Sequence, residues 1–169
     1  MSFKDHLLKR RTIYSIGKNV ALNEAKIEEI IKEAVRLSPS SFNSQTSRVV
    51  ILFGESHAKF WEIVRETLCK MVPAENFAST DSKISSFAAG FGTALFYEDQ
   101  DVVKALQEQF ALYADNFPVW SEHSTGIAQF ATWIALAENN IGASLQHYNP
   151  IIDEEVAATF DVPEIGRAH

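Results

Sequence analysis

Residues 124–139 read STGIAQFATWIALAEN. Ile127, Ala128, Phe130, Ala131, Trp133, Ile134, Ala135, Leu136 and Ala137 put apolar groups on most sides of the helix that this stretch predicts. A helix apolar all round is a central one, packed by neighbours on several faces. Asn140 and Gly142 supply its carboxyl-terminal cap. Upstream, Val102, Val103, Leu106, Phe110 and Tyr113 keep helical spacing from 100 to 114, until Pro118 breaks the pattern after Phe117. Residues 49–53, VVILF, are continuous, β-branched and too short for a helix, which predicts a buried strand ending at Gly54. A second strand follows at 93–97, entered through Gly90 and Gly92, which read as a turn.

Between the two strands, Ser56 is the expected cap of a helix that buries Phe60, Trp61, Val64, Leu68 and Met71 and stops at Pro73. The small polar residues 74–86 read as a surface loop with some helix. Nearer the amino terminus, Asn23 caps a helix burying Ile27, Ile30, Ile31, Ala34 and Val35, which ends near Leu37 because Pro39 drives Ser38 out of the helical region. Ser2 and Asp5 form a capping box that opens a short helix to Lys9 or Arg10. Downstream come a short strand at 143–146, a turn at Asn149 and Pro150, and a helix over 153–160. The sum is one helix-rich α+β domain with a small sheet.

The 169 residues are 46% hydrophobic and 22% charged, an ordinary globular makeup able to bury a core without disulfides or structural metal. The single Cys69 has no partner for an internal disulfide, which points to a reducing, cytoplasmic setting. No apolar run approaches the roughly 20 residues needed to cross a bilayer. The net charge of −7 is unevenly spread: residues 1–36 hold eight basic and five acidic side chains, whereas residues 98–169 hold two basic and twelve acidic ones. Such an acidic second half repels phosphate backbones, so nucleic acid is not an expected partner, and the basic front is the natural place for an anion.

No GxSxG elbow, GxxxxGK[ST] loop or HExxH pair is present, and the five histidines have no second His or Cys at metal-ligand spacing. Nucleophile, nucleotide-loop and metal chemistries therefore lose their usual signatures. Three other stretches remain. RRTIY, residues 10–14, places two guanidiniums beside the Thr12 hydroxyl, a set that can grip a phosphate or simply complement a helix end. SPSSFNSQ, residues 38–45, crowds hydroxyls and amides round a proline, either to bond a polar ligand or to form a self-bonded turn. GASLQHYNP, residues 142–150, presents Gln146, His147 and Tyr148 in succession, at a ligand's rim or as structural groups.

In that order and spacing, these three stretches resemble the FMN-dependent nitroreductase family. The resemblance is to its compact branch of bacterial and fungal enzymes, the copper-induced and fatty-acid-repression nitroreductase-like proteins, and LQEQFALYADNFPVWSEHS at 106–124 resembles that branch too. The resemblance implies a mixed sheet flanked by helices, an intertwined homodimer, and FMN bound at the subunit interface. It implies that Arg10 and Arg11 hold the FMN phosphate and ribityl chain with Thr12 beside them. Pro39, Ser40, Ser41, Asn43 and Gln45 correspond to the flavin-binding turn contributed by the other subunit, and Leu145, Gln146 and His147 to the segment facing the flavin ring. Phe110, Tyr113 and Trp120 are expected in the wall of the substrate pocket, although helical spacing equally suits Phe110 and Tyr113 to core packing. The implied activity is NAD(P)H oxidation coupled to reduction of nitroaromatics or quinones, with no acid, base or nucleophile required of the chain.

Two other readings fit the same residues: a flavin-binding protein without turnover, and a cofactor-free interaction domain using its acidic half. One departure from the family pattern stands out. After VPE, residues 162–164, family members continue with a Trp-led strand and a tail that adds to the partner, whereas this chain reads IGRAH over 165–169. The expectation is a single domain over 1–169, truncated after about residue 164, with an exposed sheet edge and weakened flavin affinity.

Overall fold

The computed structural model describes residues 2–162. The first helix, α1 (Phe3–Lys9), opens with the expected capping box: Asp5 N–H donates to Ser2 Oγ and the Ser2 N–H to the Asp5 carboxylate. In α2 (Glu24–Leu37), Asn23 Oδ1 accepts from the Lys26 amide at 2.9 Å, and Ile27 and Ile31 are buried. Both starts follow from side-chain acceptors that satisfy amides left over at a helix beginning. After the turn comes β1 (Ser47–Phe53), then α3 (Gly54–Met71), α4 (Ala74–Ala88), β2 (Gly92–Glu98), α5 (Gln100–Gln109), α6 (Phe117–Glu138) and α7 (Asp153–Phe160).

The strands β1 and β2 pair antiparallel, with Ser47 opposite Glu98 and Phe53 opposite Gly92. Gly92 is not a turn residue but a point of close approach, since a Cβ there would stand 2.7 Å from the Phe53 ring and 2.9 Å from the Leu52 carbonyl. Among the described residues the other edge of β2 has no ladder partner. The strand expected at 143–146 is reduced to one parallel bridge, Thr12 to Ala143, in which the Ile13 amide donates to the Ala143 carbonyl at 3.1 Å. With too few paired residues to form a ladder, 143–146 stays extended without counting as a strand. The expectation about the chain after residue 164 falls on residues 163–169, outside the described residues.

Four readings differ from expectation. Gly54, at φ +53, lets the chain pass directly from β1 into a helix, so α3 begins there without using Ser56 as its cap. Residues 74–88 are a full helix instead of a loop: Ile84 and Phe87 are buried on one side, and Arg65 of α3 binds Asp81 at 2.6 Å and Ser85 at 2.9 Å. Pro118 falls in the first turn of α6, where its missing N–H costs no hydrogen bond, so it starts the helix instead of breaking one. The helical spacing from 100 onward ends at Gln109, and Phe110 leads into a 3-10 turn over Ala111–Asn116.

The main core joins α3, α4, the two strands and α7 through Leu52, Phe60, Trp61, Ile63, Val64, Ile84, Phe87, Leu95, Ile152 and Val156. Its polar pin is His57. The Ala88 carbonyl can only accept, so Nε2 carries the proton and Nδ1 accepts from Thr93 Oγ1 at 2.8 Å, while Thr93 in turn accepts from Trp61 Nε1. As expected, α6 is central, with α1, α2, α5 and both strands against it. It is not covered all round, because Ile127 and Phe130 each remain 43% exposed.

Candidate functional site

The amino-terminal and late motifs converge. Arg10 ends α1, and its guanidinium lies over the Trp133 ring of α6, 4.4 Å from the centroid. The chain then runs through Arg11 and Thr12, both exposed, into the bridge with Ala143. Gly142 makes this approach possible, since a Cβ there would stand 3.1 Å from the Ile13 side chain. The parallel bridge sets Gly142 and Ala143 beside residues 11–13, and the segment runs on from there through Leu145 and His147, both exposed, and Gln146, whose Nε2 donates to Ser144 Oγ at 2.8 Å.

The donors here are unspent. Seven other basic side chains, Lys26, Lys32, Arg36, Arg48, Lys59, Arg65 and Lys104, pair with carboxylates, but among the described residues neither Arg10 nor Arg11 does. Arg10 Nε and Trp133 Nε1 are buried without a hydrogen-bond partner. Buried donors in that condition cost about 1–3 kcal/mol each, and a ligand rich in acceptors relieves the cost.

The SPSSFNSQ turn lies elsewhere. Ser38 Oγ donates to the Ala34 carbonyl, Pro39 is exposed, Ser41 opens a 3-10 turn ending at Asn43, and the Gln45 amide donates to Ser40 Oγ at 2.9 Å. Phe42, Asn43 and Gln45 all have left-handed backbones, with φ of 57°, 51° and 50°. Each such residue costs on the order of 1–3 kcal/mol, so packing must hold the turn in place. The Phe42 ring supplies that packing. It sits 5.0 Å from Phe110, 5.9 Å from Tyr113 and 5.2 Å from Phe117, and stacks on Trp120 at 5.7 Å and 20°. At the exit of the turn, Arg48 donates to the Gln45 carbonyl and pairs with Asp99 at 2.8 Å.

Thus Phe110, Tyr113 and Trp120 do meet, round a residue that sequence reasoning left out. Phe42 is the only aromatic side chain in its motif, and that isolation was the available signal. Glu98 was also missed: it is 1% exposed, within reach of Ser47 and Thr125, and burial pushes its carboxyl above the usual carboxylate range.

Trp120 and Trp133 mark the two assemblies on one helix. Thirteen residues at 1.5 Å per residue separate them by about 20 Å along α6. Groups expected round one flavin ring therefore stand toward opposite ends of α6. A cavity of about 220 Å³ lies between β2, α6 and the 141–146 segment. It reaches Leu145 and Gln146, yet neither arginine nor the turn lines it.

The sequence profile of the Nitroreductase family matches residues 7–168. HBN1 of Saccharomyces cerevisiae is 33% identical over 162 residues, 94% of this chain and 79% of its own length. The nitroreductase FRM2 of the same yeast is 31% identical over 166 residues, 96% of this chain and 81% of its own. Among solved structures, the nitroreductase CinD from Lactococcus lactis in complex with chloramphenicol matches with a TM-score of 0.90 and 54% identity, over 99% of this chain and 85% of that one. CinD in complex with 4-nitrophenol matches with a TM-score of 0.89. A structure from Exiguobacterium sibiricum in complex with FMN shares the fold, with a TM-score of 0.63 and 14% identity over 99% of this chain and 83% of that one.

Proposed function

The chain belongs to the nitroreductase family, and from that membership we propose that it is an FMN-dependent homodimeric enzyme passing electrons from NADH or NADPH to nitroaromatics or quinones. The observation that carries the cofactor is the pair of arginines without acidic partners, next to the bridge that joins Thr12 to Ala143. Phosphate is the natural ligand for such guanidiniums, because it accepts several charge-assisted bonds at once. The buried, partnerless Arg10 Nε adds a donor that water does not reach.

In this reading Arg10 and Arg11 bind the phosphate and ribityl chain, with the Thr12 hydroxyl beside them. Leu145, Gln146 and His147 present their backbone to the ring. Pro39, Ser40, Ser41, Asn43 and Gln45 approach the same ring from the second subunit, which accounts for the separation of about 20 Å between the two assemblies within one chain. Exposed apolar side chains on α1 and α6, among them Phe3, Leu8, Ile127 and Phe130, supply a surface for that second copy. Phe110, Tyr113 and Trp120, gathered by Phe42, wall the acceptor's place. The chemistry that FMN supplies when bound is ping-pong hydride transfer through its N5, so the chain's work is binding, orientation and exclusion of water. CinD, which binds chloramphenicol and 4-nitrophenol, supports a small aromatic acceptor. A reducing cytosol is the proposed setting, where the exposed Cys69 stays a thiol.

The test is optical. Purified protein mixed with FMN should turn yellow, bleach anaerobically with NADH or NADPH, and recover its colour when 4-nitrophenol or a quinone is added. Protein that takes up no FMN defeats this reading. Yellow protein inert to both nicotinamides reduces it to flavin binding without turnover.

A further inference from the structure

Arg10 is held by a ring and not by an acid. Its backbone is fixed as the cap of α1, where its amide donates to the His6 carbonyl at 2.9 Å. The same helix is tied to the end of α6: Lys9 Nζ donates to the Glu138 carbonyl at 3.1 Å, and His6 Nε2 stands 3.9 Å from the Glu138 carboxylate. These ties set the register in which the Arg10 guanidinium falls over Trp133 of α6, 4.4 Å from the ring centroid. At that point Arg10 Nε and Trp133 Nε1 are both buried without a hydrogen-bond partner.

The choice of holder has a consequence for binding. A long, rotamer-rich side chain loses freedom when it grips an anion, and one that is already fixed loses less. A carboxylate would fix Arg10 as well, but would neutralise its charge and occupy the donors an anion needs. An indole face attracts the cation through its quadrupole and takes none of the five N–H donors in the way a carboxylate does. Charge and donors both stay available. We propose that Trp133 is a positioning residue, holding the Arg10 guanidinium in place for the FMN phosphate, so that preference for FMN over a flavin without phosphate depends on an aromatic ring at 133. This rests on the flavin reading above.

Affinities for FMN and for riboflavin, which lacks the phosphate, measured by fluorescence quenching in the wild type and in Trp133 variants test it. In Trp133→Leu the ratio of FMN to riboflavin affinity should fall by roughly two- to thirtyfold, the span of a cation–π contact from exposed to desolvated. An unmoved ratio, with both affinities kept or both lowered alike, overturns the proposal and leaves Trp133 a packing residue. Trp133→Phe keeps a ring face and loses the N–H, so its ratio should stay nearer the wild type's; a fall as deep as in the leucine variant assigns the effect to the N–H and overturns the proposal. In an Arg10→Ala background Trp133→Leu should leave the ratio where Arg10→Ala put it, and an undiminished effect overturns the link to Arg10. Should Trp133→Leu fail to fold, a ring-fluorinated tryptophan at 133, nearly the same shape with an electron-poor face, should lower the ratio, and an unmoved ratio counts against the proposal. Equal wild-type affinity for the two flavins overturns this inference while leaving flavin binding intact. Uptake of neither flavin overturns the flavin reading and this inference together.

Discussion

The arginine end of α6 and the turn end are built on opposite plans. Near Trp133, the side chains Arg10 and Arg11 offer donors that nothing in the described chain accepts. Near Trp120, Ser40 bonds the Gln45 amide, Arg48 binds the Gln45 carbonyl, and five aromatic rings lock one another in place. The first region leaves donors unpaired; the second satisfies its own groups and is strained. If the two serve one flavin site, as proposed above, charge is recognised on one surface and shape on another, and binding energy should come from the first and orientation from the second.

Removing the donors should give the largest effect. Replacing both Arg10 and Arg11 by Ala should cost FMN affinity about 3–6 kcal/mol, taking each charge-assisted bond as worth 1.5–3. The melting temperature of the cofactor-free protein should hardly move. Titration with FMN decides it, and unchanged affinity would reduce both arginines to helix-end charges. The turn end should respond in the reverse way, through stability. Phe42→Ala deletes the ring at the centre of the cluster and should cost about 2 kcal/mol in urea unfolding, less than a fully buried Phe because half the ring is exposed. Phe42→Gly loses the same ring but tolerates φ 57°, so it should be at least as stable as the alanine variant, the reverse of the usual order. Finding glycine clearly worse than alanine would show that the turn stores no strain at Phe42.

The smallest effect belongs to the core that both ends share. His57 is held neutral, its proton affinity lowered by burial and by Lys18 despite the Ala88 bond. The unfolded chain then binds more protons than the folded one just below the ordinary histidine value of 6.5. Stability should therefore be complete above that pH and decline as pH falls beneath it, and Thr93→Val, which removes the partner of Nδ1, should change that slope. A flat denaturation midpoint between neutral and mildly acidic pH would show that the ring changes protonation equally in both states.

Much of the scaffold was legible residue by residue. The capping box at Ser2, the cap at Asn23, the VVILF strand and the helix over Asp153–Phe160 all stand where local rules put them, because each depends on groups within a few positions of one another. The readings that failed depend on distant partners. The segment 74–88 is polar enough to pass for a loop, and becomes a helix because Ile84 and Phe87 find the core and Arg65 reaches across from α3. The apolar pattern of residues 124–139 announced a central helix, yet pattern alone does not show that the side bearing Ile127 and Phe130 stays open.

By itself, then, the sequence determined the α+β class, the order of the elements, the three motifs and the likeness of those motifs to a family. Spacing along one chain carries all of these. Only the tertiary structure decided that RRTIY meets GASLQHYNP across a single bridge, that SPSSFNSQ is held near the other end of α6, and that the Phe42 ring packs that turn against Phe110, Phe117 and Trp120. These facts come from contacts between residues dozens of positions apart, where burial and pairing outweigh local preference.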